Sequence, residues 1–264
     1  MIFPAWTWVL IPIALVLCVS GFYKLSYLST LARGLCLAGL SLAVLILSFT
    51  VGHVSLVLGL LCLLALICGL RRDGLAAYAV LRSAARRKYM KSQSETEMGP
   101  VLLLVQWLGF ALIYVLEIFP LWYRASAEKA GNLGGWIGLV LMLAGFVLEE
   151  AADRQQIAAA NENPYLPAMS GLYRLVRCPG ALGECLFRTG LFISGIDAYQ
   201  GLQWLPAVLA WAVSLFFVWQ RLKREERRAE KNFGDLPVYR EYVRSTPLIL
   251  PFVPLYSVDR KEND

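Results

Sequence analysis

Long apolar runs separated by short polar segments make up most of the chain. Seven of these runs approach the length of roughly 20 residues that a helix needs to cross the hydrocarbon core of a bilayer. They cover residues 5–22, 35–52, 54–70, 100–123, 134–152, 182–196 and 202–219. The pattern predicts an all-α fold, a polytopic membrane helical bundle of about seven transmembrane helices.

Basic residues between the predicted spans indicate the orientation of the bundle. If the N-terminus lies outside, 22 of the 25 Lys and Arg residues fall in cytoplasmic segments and two in outer segments. Because Lys and Arg near span ends are enriched on the cytoplasmic side, we expect an outer N-terminus and a cytoplasmic C-terminal tail. Topology and lipid headgroups then account for the positive charge, and we expect no nucleic-acid partner.

The composition excludes a water-soluble protein. With 58% hydrophobic and 17% charged residues, the chain has too few polar side chains to cover a surface in water. We therefore predict a single integral membrane domain over residues 1–264, in a bacterial inner membrane or the endoplasmic reticulum. Its parts would be three helices at 1–70, a basic cytoplasmic loop at 71–99, a polar-residue-bearing part at 100–255 and a tail at 256–264. We interpret the six cysteines as reduced core residues, and a single histidine argues against a metal site.

Ionisable residues inside predicted spans are the first candidates for function, because a charge at the bilayer centre costs about 2.5–3.5 kcal/mol. In the fourth span, Gln106 and Glu117 are three helical turns apart and point in nearly the same direction. Both are candidate catalytic residues. The alternative for Glu117 is solvation near the outer headgroups.

The end of the fifth predicted span carries a second polar group. Glu149, Asp153 and Gln156 share one helical face, whereas Glu150 and Arg154 form an ordinary solvated pair on another. Two stacked carboxylates repel each other, so the first face requires a partner. That partner is either a cation from another helix or the hydroxyl and amide groups of a bound ligand.

Arginines gather in the loop at 171–180 and around the last two spans. Arg174, Arg177 and Arg188 surround a backbone turn on the cytoplasmic side and suit a phosphate-bearing ligand. Arg221 and Arg224 share one face of the helix that continues the last span, where they could cap a cavity that opens to the cytoplasm. All five are candidate cofactor-binding residues. Guanidinium groups suit this role because they donate paired hydrogen bonds to phosphate. Glu184 lies four residues before Arg188, so the two form an internal ion pair or Glu184 takes part in cofactor binding or catalysis.

Taken in order, the motifs resemble the steroid 5α-reductase-like membrane proteins over roughly residues 60–255. They are Gly69-Leu-Arg71, Arg87-Lys-Tyr89, Val105-Gln106, Glu149-x-x-x-Asp153-x-Gln155, Gly171-Leu-Tyr-Arg-x-x-Arg177-x-Pro179-x-x-x-Gly183-Glu184, and Tyr239-Arg-Glu-Tyr242 with Pro247. The resemblance implies a seven-helix enzyme that holds NADPH with its last three helices and cytoplasmic loops. Its substrate would be a sterol-like or isoprenoid lipid with a polarised C=C bond, entering from the bilayer. The positions that match the cofactor side or the pocket are Gln106, Glu149, Asp153, Arg177, Glu184 and Arg224.

The chain departs from this family at the residues that would contact the nicotinamide. Cys178, Gly180 and Ala181 stand where the family usually has His, Asn and Tyr, and Cys68 stands where it has Tyr. The block from Gly171 to Glu184 is also similar to isoprenylcysteine and phospholipid methyltransferases, so S-adenosylmethionine is the alternative cofactor. A third hypothesis is a non-catalytic member of the family that binds a lipid or a nucleotide.

Overall fold

The computed structural model describes residues 7–19, 31–51, 54–82, 100–127, 132–163 and 165–250. All regular secondary structure within these ranges is helical, which confirms the all-α prediction. The helices are α1 (Thr7–Cys18), α2 (Leu31–Val51), α3 (Leu56–Arg82), α4 (Pro100–Ser126), α5 (Leu133–Glu162), α6 (Leu172–Leu175), α7 (Pro179–Ser194), α8 (Trp204–Phe233) and α9 (Pro237–Ser245). A short 3-10 turn, Gly201–Gln203, precedes α8.

Four described helices are long and apolar enough to cross a membrane. The segments are Ala32–Thr50 in α2, Val101–Ser126 in α4, Leu133–Glu162 in α5, and Gly201–Phe233, which combines the 3-10 turn with α8. Helix α1 is apolar but shorter. Large apolar side chains such as Leu112 and Phe216 are exposed on these helices, as expected where lipid is the solvent. The protein is therefore an integral membrane protein.

Three helices continue beyond the apolar runs that predicted them. Helix α3 extends past residue 70 to Arg82, α5 past residue 152 to Glu162, and α8 past residue 219 to Phe233. The added turns are rich in Ala, Arg, Glu and Gln, which are polar or small but strong helix formers. The first part of the predicted loop at 71–99 is therefore helical. Residues 83–99 and the tail at 256–264 lie outside the described residues.

The chain folds into two compact units, and the first comprises residues 1–139 and 190–211. In this unit α2 packs against α1, α3 and α4, so the predicted three-helix part at 1–70 is combined with α4. A Cβ added to Gly69 on α3 would lie 2.5 Å from the Gly34 carbonyl oxygen on α2. Trp122 on α4 donates its indole N–H to the Thr7 hydroxyl on α1 at 2.9 Å. Close backbone approach and hydrogen bonding thus tie the four helices together.

A buried arginine fastens three helix ends within the first unit. Arg124, in the last turn of α4, donates from Nη1 to the Ser194 carbonyl oxygen at 2.9 Å, and Nη1 lies 3.9 Å from Asp197 Oδ2. The same carboxylate oxygen accepts a hydrogen bond from the Gly134 N–H near the start of α5, at 2.7 Å. Because Arg124 is 3% exposed, its charge needs these partners to remain inside the protein.

Helices α5 and α7 approach each other at glycines in each unit. The spacing Gly134-x-x-x-Gly138 on α5 permits such an approach, and a Cβ on Gly138 would lie 2.6 Å from the Gly190 carbonyl oxygen. In the second unit, residues 140–189 and 212–264, a Cβ on Gly145 would lie 2.5 Å from the Gly183 carbonyl oxygen. The glycines therefore serve packing within this chain.

The start of α7 is fixed by backbone hydrogen bonds within the second unit. The Arg177 N–H donates to the Pro247 carbonyl at 2.9 Å, and the Cys178 N–H donates to the Leu248 carbonyl at 3.0 Å. These bonds join the residues before α7 to the segment that follows α9. They position the arginine and glutamate side chains of the Arg177–Glu184 motif.

Candidate functional site

A buried glutamate on α7 is held between two arginines in the second unit. Glu184 Oε1 accepts from Arg188 Nη2 at 2.7 Å and from Arg188 Nε at 3.1 Å. Its other oxygen, Oε2, lies 2.6 Å from Arg221 Nη2 on α8. We call these three residues the Glu184 triad. A buried carboxylate loses its hydration, and the two guanidinium partners compensate for that loss by stabilising the charged form of Glu184.

The three members of the triad differ in their access to solvent. The Glu184 side chain is 0% exposed and that of Arg188 is 2% exposed, whereas the Arg221 side chain is 35% exposed. Arg221 also lies 3.5 Å from Glu225 through its Nε. Arg221 therefore links a fully buried ion pair to the surface, and of the three it is the residue that a ligand can reach.

The sequence around Glu184 explains how the triad forms. The spacing from Glu184 to Arg188 places both side chains on one face of α7, in the favourable order for a helical ion pair. Gly183, the preceding residue, has no side chain, and a Cβ there would lie 2.8 Å from the Glu149 nitrogen on α5. The close approach of α5 excludes water from this part of α7, which accounts for the burial of the pair.

Arg177 and Glu226 form a second ion pair in the same unit. Arg177 Nη2 donates to Glu226 Oε1 at 3.2 Å, and the two side chains are 6% and 16% exposed. Arg174 and Arg224, in contrast, are exposed. Arg174, Arg221 and Arg224 are thus the predicted cofactor-binding arginines with the greatest access to a dissolved ligand.

The predicted polar face of α5 runs from the protein interior to the surface. Glu149 is buried, Asp153 is half-buried and Gln156 is exposed. The predicted pair on the other face is confirmed, because Arg154 Nε lies 2.5 Å from Glu150 Oε1 and the Arg154 side chain is 78% exposed. Asp153 and Gln156 therefore remain accessible to a ligand, while Glu149 lies inside the helix packing.

Gln155 is a structural residue of the site that the helical-face argument missed. Its Oε1 accepts a hydrogen bond from the Leu172 N–H at 2.8 Å. The adjacent Gly171 has φ of 63°, and a Cβ there would lie 2.6 Å from the same oxygen. Only glycine adopts this left-handed conformation without strain. The sequence contains Gln155 in one motif and Gly171-Leu172 at the start of the next, and these two features together could have predicted that the loop contacts α5.

Two tyrosines complete the attachment of this loop. The Tyr173 hydroxyl donates to the Ala152 carbonyl at 3.3 Å, and the Tyr242 hydroxyl on α9 donates to the Tyr173 carbonyl at 2.6 Å. Burial raises the pKa of both hydroxyls above their ordinary value, so both stay protonated donors at neutral pH. Burial likewise raises the pKa of Tyr239 on α9 to about 12.

Of the four departures from the family pattern, Cys68 is buried in the first unit, and Cys178, Gly180 and Ala181 lie in the second unit. Ala181 belongs to a buried cluster with Val218, Leu222 and Leu248, and Cys178 and Cys185 pack against it. Burial raises the pKa of the Cys178 thiol to about 12. A Cβ on Gly180 would meet only the Ala152 Cβ, at 3.9 Å. At these three positions the chain therefore presents apolar surface and a protonated thiol.

The two candidates in the fourth predicted span lie in the first unit. Gln106 and Glu117 are both half-buried on α4. Glu117 is within electrostatic range of Tyr114, one turn earlier on the same helix. Among the described residues, no group of three or more His, Cys, Asp or Glu side chains is arranged to hold a metal ion.

The described helices and the buried ion pairs define an integral membrane protein with a polar cluster in its second unit. A family described as a protein of unknown function, DUF1295, matches residues 24–246. The chain belongs to this family. No curated protein and no solved structure gives a significant match. The matched range contains the Glu184 triad, the Arg177–Glu226 pair and the loop that Gln155 anchors.

Proposed function

We propose that the protein is a membrane-embedded, NADPH-dependent reductase of a C=C bond in a sterol-like or isoprenoid lipid. The resemblance of its ordered motifs to the steroid 5α-reductase-like proteins supports this function. The structural observation that carries it is the Glu184 triad, which holds the half-exposed Arg221 on α8, three residues before the exposed Arg224. Arg174 of the same unit is also exposed.

The accessible residues of the second unit fit the phosphate and ribose portions of NADPH. Arg174, Arg221 and Arg224 offer guanidinium groups to phosphate oxygens, and the half-buried Asp153 offers a carboxylate to ribose hydroxyls. When bound, NADPH would supply the hydride for reduction of the C=C bond.

The buried members of the site have a supporting role in this proposal. Glu184 and Arg188 are too deeply buried to contact a large ligand, so they act as positioning residues that fix the Arg221 guanidinium. The buried Arg177 and Glu149 would shape the surroundings of the cofactor, and the exposed Gln156 would be accessible to it. An arginine fixed before binding loses less side-chain entropy when it meets phosphate, which increases affinity.

The proposed topology has seven transmembrane helices, an outer N-terminus and a cytoplasmic tail. Besides the four long apolar helices, α1, α3 and α7 coincide with the remaining predicted spans. The distribution of Lys and Arg supports the orientation. Reporter fusions after residues 53, 82 and 200 test it, since only the fusion at 82 should report a cytoplasmic location. A cytoplasmic signal at 53 or 200 would contradict this topology.

Parallel titrations with NADPH and S-adenosylmethionine test the cofactor. The purified protein in lipid nanodiscs should show a higher melting temperature with NADPH and no change with S-adenosylmethionine, because a ligand that binds only the folded state stabilises it. Arg221→Ala should abolish the NADPH shift. Arg154→Ala, which removes a 78% exposed arginine from the other face of α5, is the matched control and should retain it.

Each outcome of the titration selects one function. A shift with S-adenosylmethionine alone would replace the reductase by a lipid or isoprenylcysteine-type methyltransferase. A shift with NADPH should be followed by NADPH oxidation when a sterol or isoprenoid enone is added to the bilayer. NADPH binding with no turnover of any such lipid would contradict the reductase.

A second candidate function is binding without catalysis. The observation that favours it is the apolar cluster of Ala181, Val218, Leu222 and Leu248, which occupies the region where the related enzymes carry polar side chains. A reductase that lacks a donor to the reacting carbonyl loses transition-state stabilisation of about 3–4 kcal/mol. Absence of a shift with both cofactors, together with a shift on adding a lipid, would favour this candidate.

A further inference from the structure

Two buried cysteines from different helices are in contact in the first unit. Cys18 is the last residue of α1, and Cys36 lies in the second turn of α2. Their Sγ atoms are 3.4 Å apart, and both residues are 0% exposed. The Cys36 sulfur also lies 4.0 Å from the Ala14 carbonyl oxygen, one turn before Cys18. The Cys36 thiol is therefore placed over the final turn of α1.

The two sulfur atoms of the pair are in direct contact. A disulfide has a sulfur–sulfur distance of about 2.05 Å, so the two sulfurs, now 3.4 Å apart, would have to approach by about 1.4 Å. Rotation of the two side chains about their Cα–Cβ bonds moves the sulfurs on this scale. We propose that Cys18 and Cys36 are a redox modification site, which forms a reversible intrachain disulfide on exposure to a peroxide.

The reaction is balanced with hydrogen peroxide as the oxidant. One thiol gives its electron pair to a peroxide oxygen and becomes a sulfenic acid, and one water is released. The second thiol then attacks the sulfenic sulfur, the S–S bond forms, and a second water leaves. In total the two thiols lose two electrons and two protons, and the peroxide is reduced to two water molecules.

The consequence of the bond is local to the first unit. It would fasten the end of α1 to α2 by a covalent link. A covalent link between two segments restricts the unfolded chain and therefore raises the stability of the folded state. The site is independent of the proposed reductase function, since neither residue belongs to the polar cluster of the second unit.

The test is a count of free thiols in the full-length protein in nanodiscs, before and after hydrogen peroxide. Alkylation under denaturing conditions should find six thiols before treatment, one per cysteine, and two fewer afterwards. Proteolysis and mass spectrometry should recover a peptide that links residues 18 and 36, and a reducing agent should release it. The oxidised protein should also melt at a higher temperature.

Single substitutions separate this pair from the other cysteines. Cys18→Ser and Cys36→Ser should each abolish the loss of two thiols. Cys62→Ser is the matched control, because Cys62 is equally buried on α3, and that variant should still lose two thiols. Retention of all six thiols by the wild-type protein would overturn the proposal. A linked peptide that joins any other two cysteines would overturn it equally, and this result does not depend on the folding of a variant.

Discussion

Replacing Gly145 by alanine tests whether the close approach of α5 and α7 builds the Glu184 triad. In the second unit, a Cβ on Gly145 would lie 2.5 Å from the Gly183 carbonyl oxygen and 2.6 Å from the Phe187 nitrogen. Ordinary van der Waals separation begins at 3.4 Å, so the two backbones would have to separate by about 0.9 Å, the difference between 3.4 and 2.5. Gly183 directly precedes Glu184, so the separation would reach the triad.

The expected cost follows from two opposing effects. Forcing one extra carbon into a packed interior costs about 1–3 kcal/mol, whereas alanine is favoured over glycine inside a helix by about 0.5–1 kcal/mol. The free energy of unfolding should therefore fall by about 1–2 kcal/mol. Gly109→Ala on α4 is the matched control, because nothing lies within 4 Å of its added Cβ. That variant should be as stable as the wild type or slightly more stable.

The assay is thermal unfolding of both variants in nanodiscs, followed by tryptophan fluorescence. Gly145→Ala should melt at a lower temperature than Gly109→Ala, and the temperature shift induced by NADPH should be smaller, because Arg221 is held through Glu184. Equal melting temperatures for the two alanine variants would refute the reasoning, since they would mean that the backbones of α5 and α7 do not touch. Lower stability with an unchanged NADPH shift would separate the packing from the proposed cofactor site.

Three further predictions concern individual interactions. Asp197→Ala should lower the free energy of unfolding by about 1–2 kcal/mol, measured by denaturant-induced unfolding. The reason is that the Gly134 N–H loses its acceptor and the buried Arg124 loses a charge partner. An unchanged free energy of unfolding would show that water replaces the carboxylate. Gln155→Ala should speed hydrogen exchange of the Leu172 amide, while Gln155→Glu, which keeps an acceptor oxygen, should not. Because burial raises the pKa of Cys178 from 9.0 to about 12, the stability from its protonated form is present below pH 9 and is lost as the pH rises towards 12. The melting temperature should therefore fall over that range, and it should fall less in Cys178→Ala.

Helix positions were largely predictable because lipid imposes a simple rule. A chain in the hydrocarbon core must satisfy its backbone hydrogen bonds internally and cover itself with apolar side chains. Each of the seven apolar runs accordingly contains much of a helix. The ends of α3, α5 and α8 were not predictable from apolarity, because polar or small helix formers such as Ala, Arg and Glu continue the helix without an apolar surface.

Ion pairs within one helix were predictable, and those between elements were not. The spacing from Glu184 to Arg188 and from Glu150 to Arg154 is enough to bring each pair together, and both pairs form. The partner of Glu184 on α8 is Arg221, 37 positions further along the chain, and no local pattern selects it among the neighbouring arginines. Helix packing makes that choice.

The sequence alone determines that the protein is embedded in a membrane and that it is helical. It also determines which residues have side chains that can bind a charged ligand. These properties follow from the composition and from periodicities within single helices, so they can be predicted without knowing which helices pack against each other. The tertiary structure alone decides which of those residues are used internally and which stay accessible. Glu184 and Arg188 become buried because Gly145 and Gly183 let the backbones of α5 and α7 meet. Arg221 stays half-exposed because it reaches the same carboxylate from α8, so the depth of each charge is set by how the helices pack.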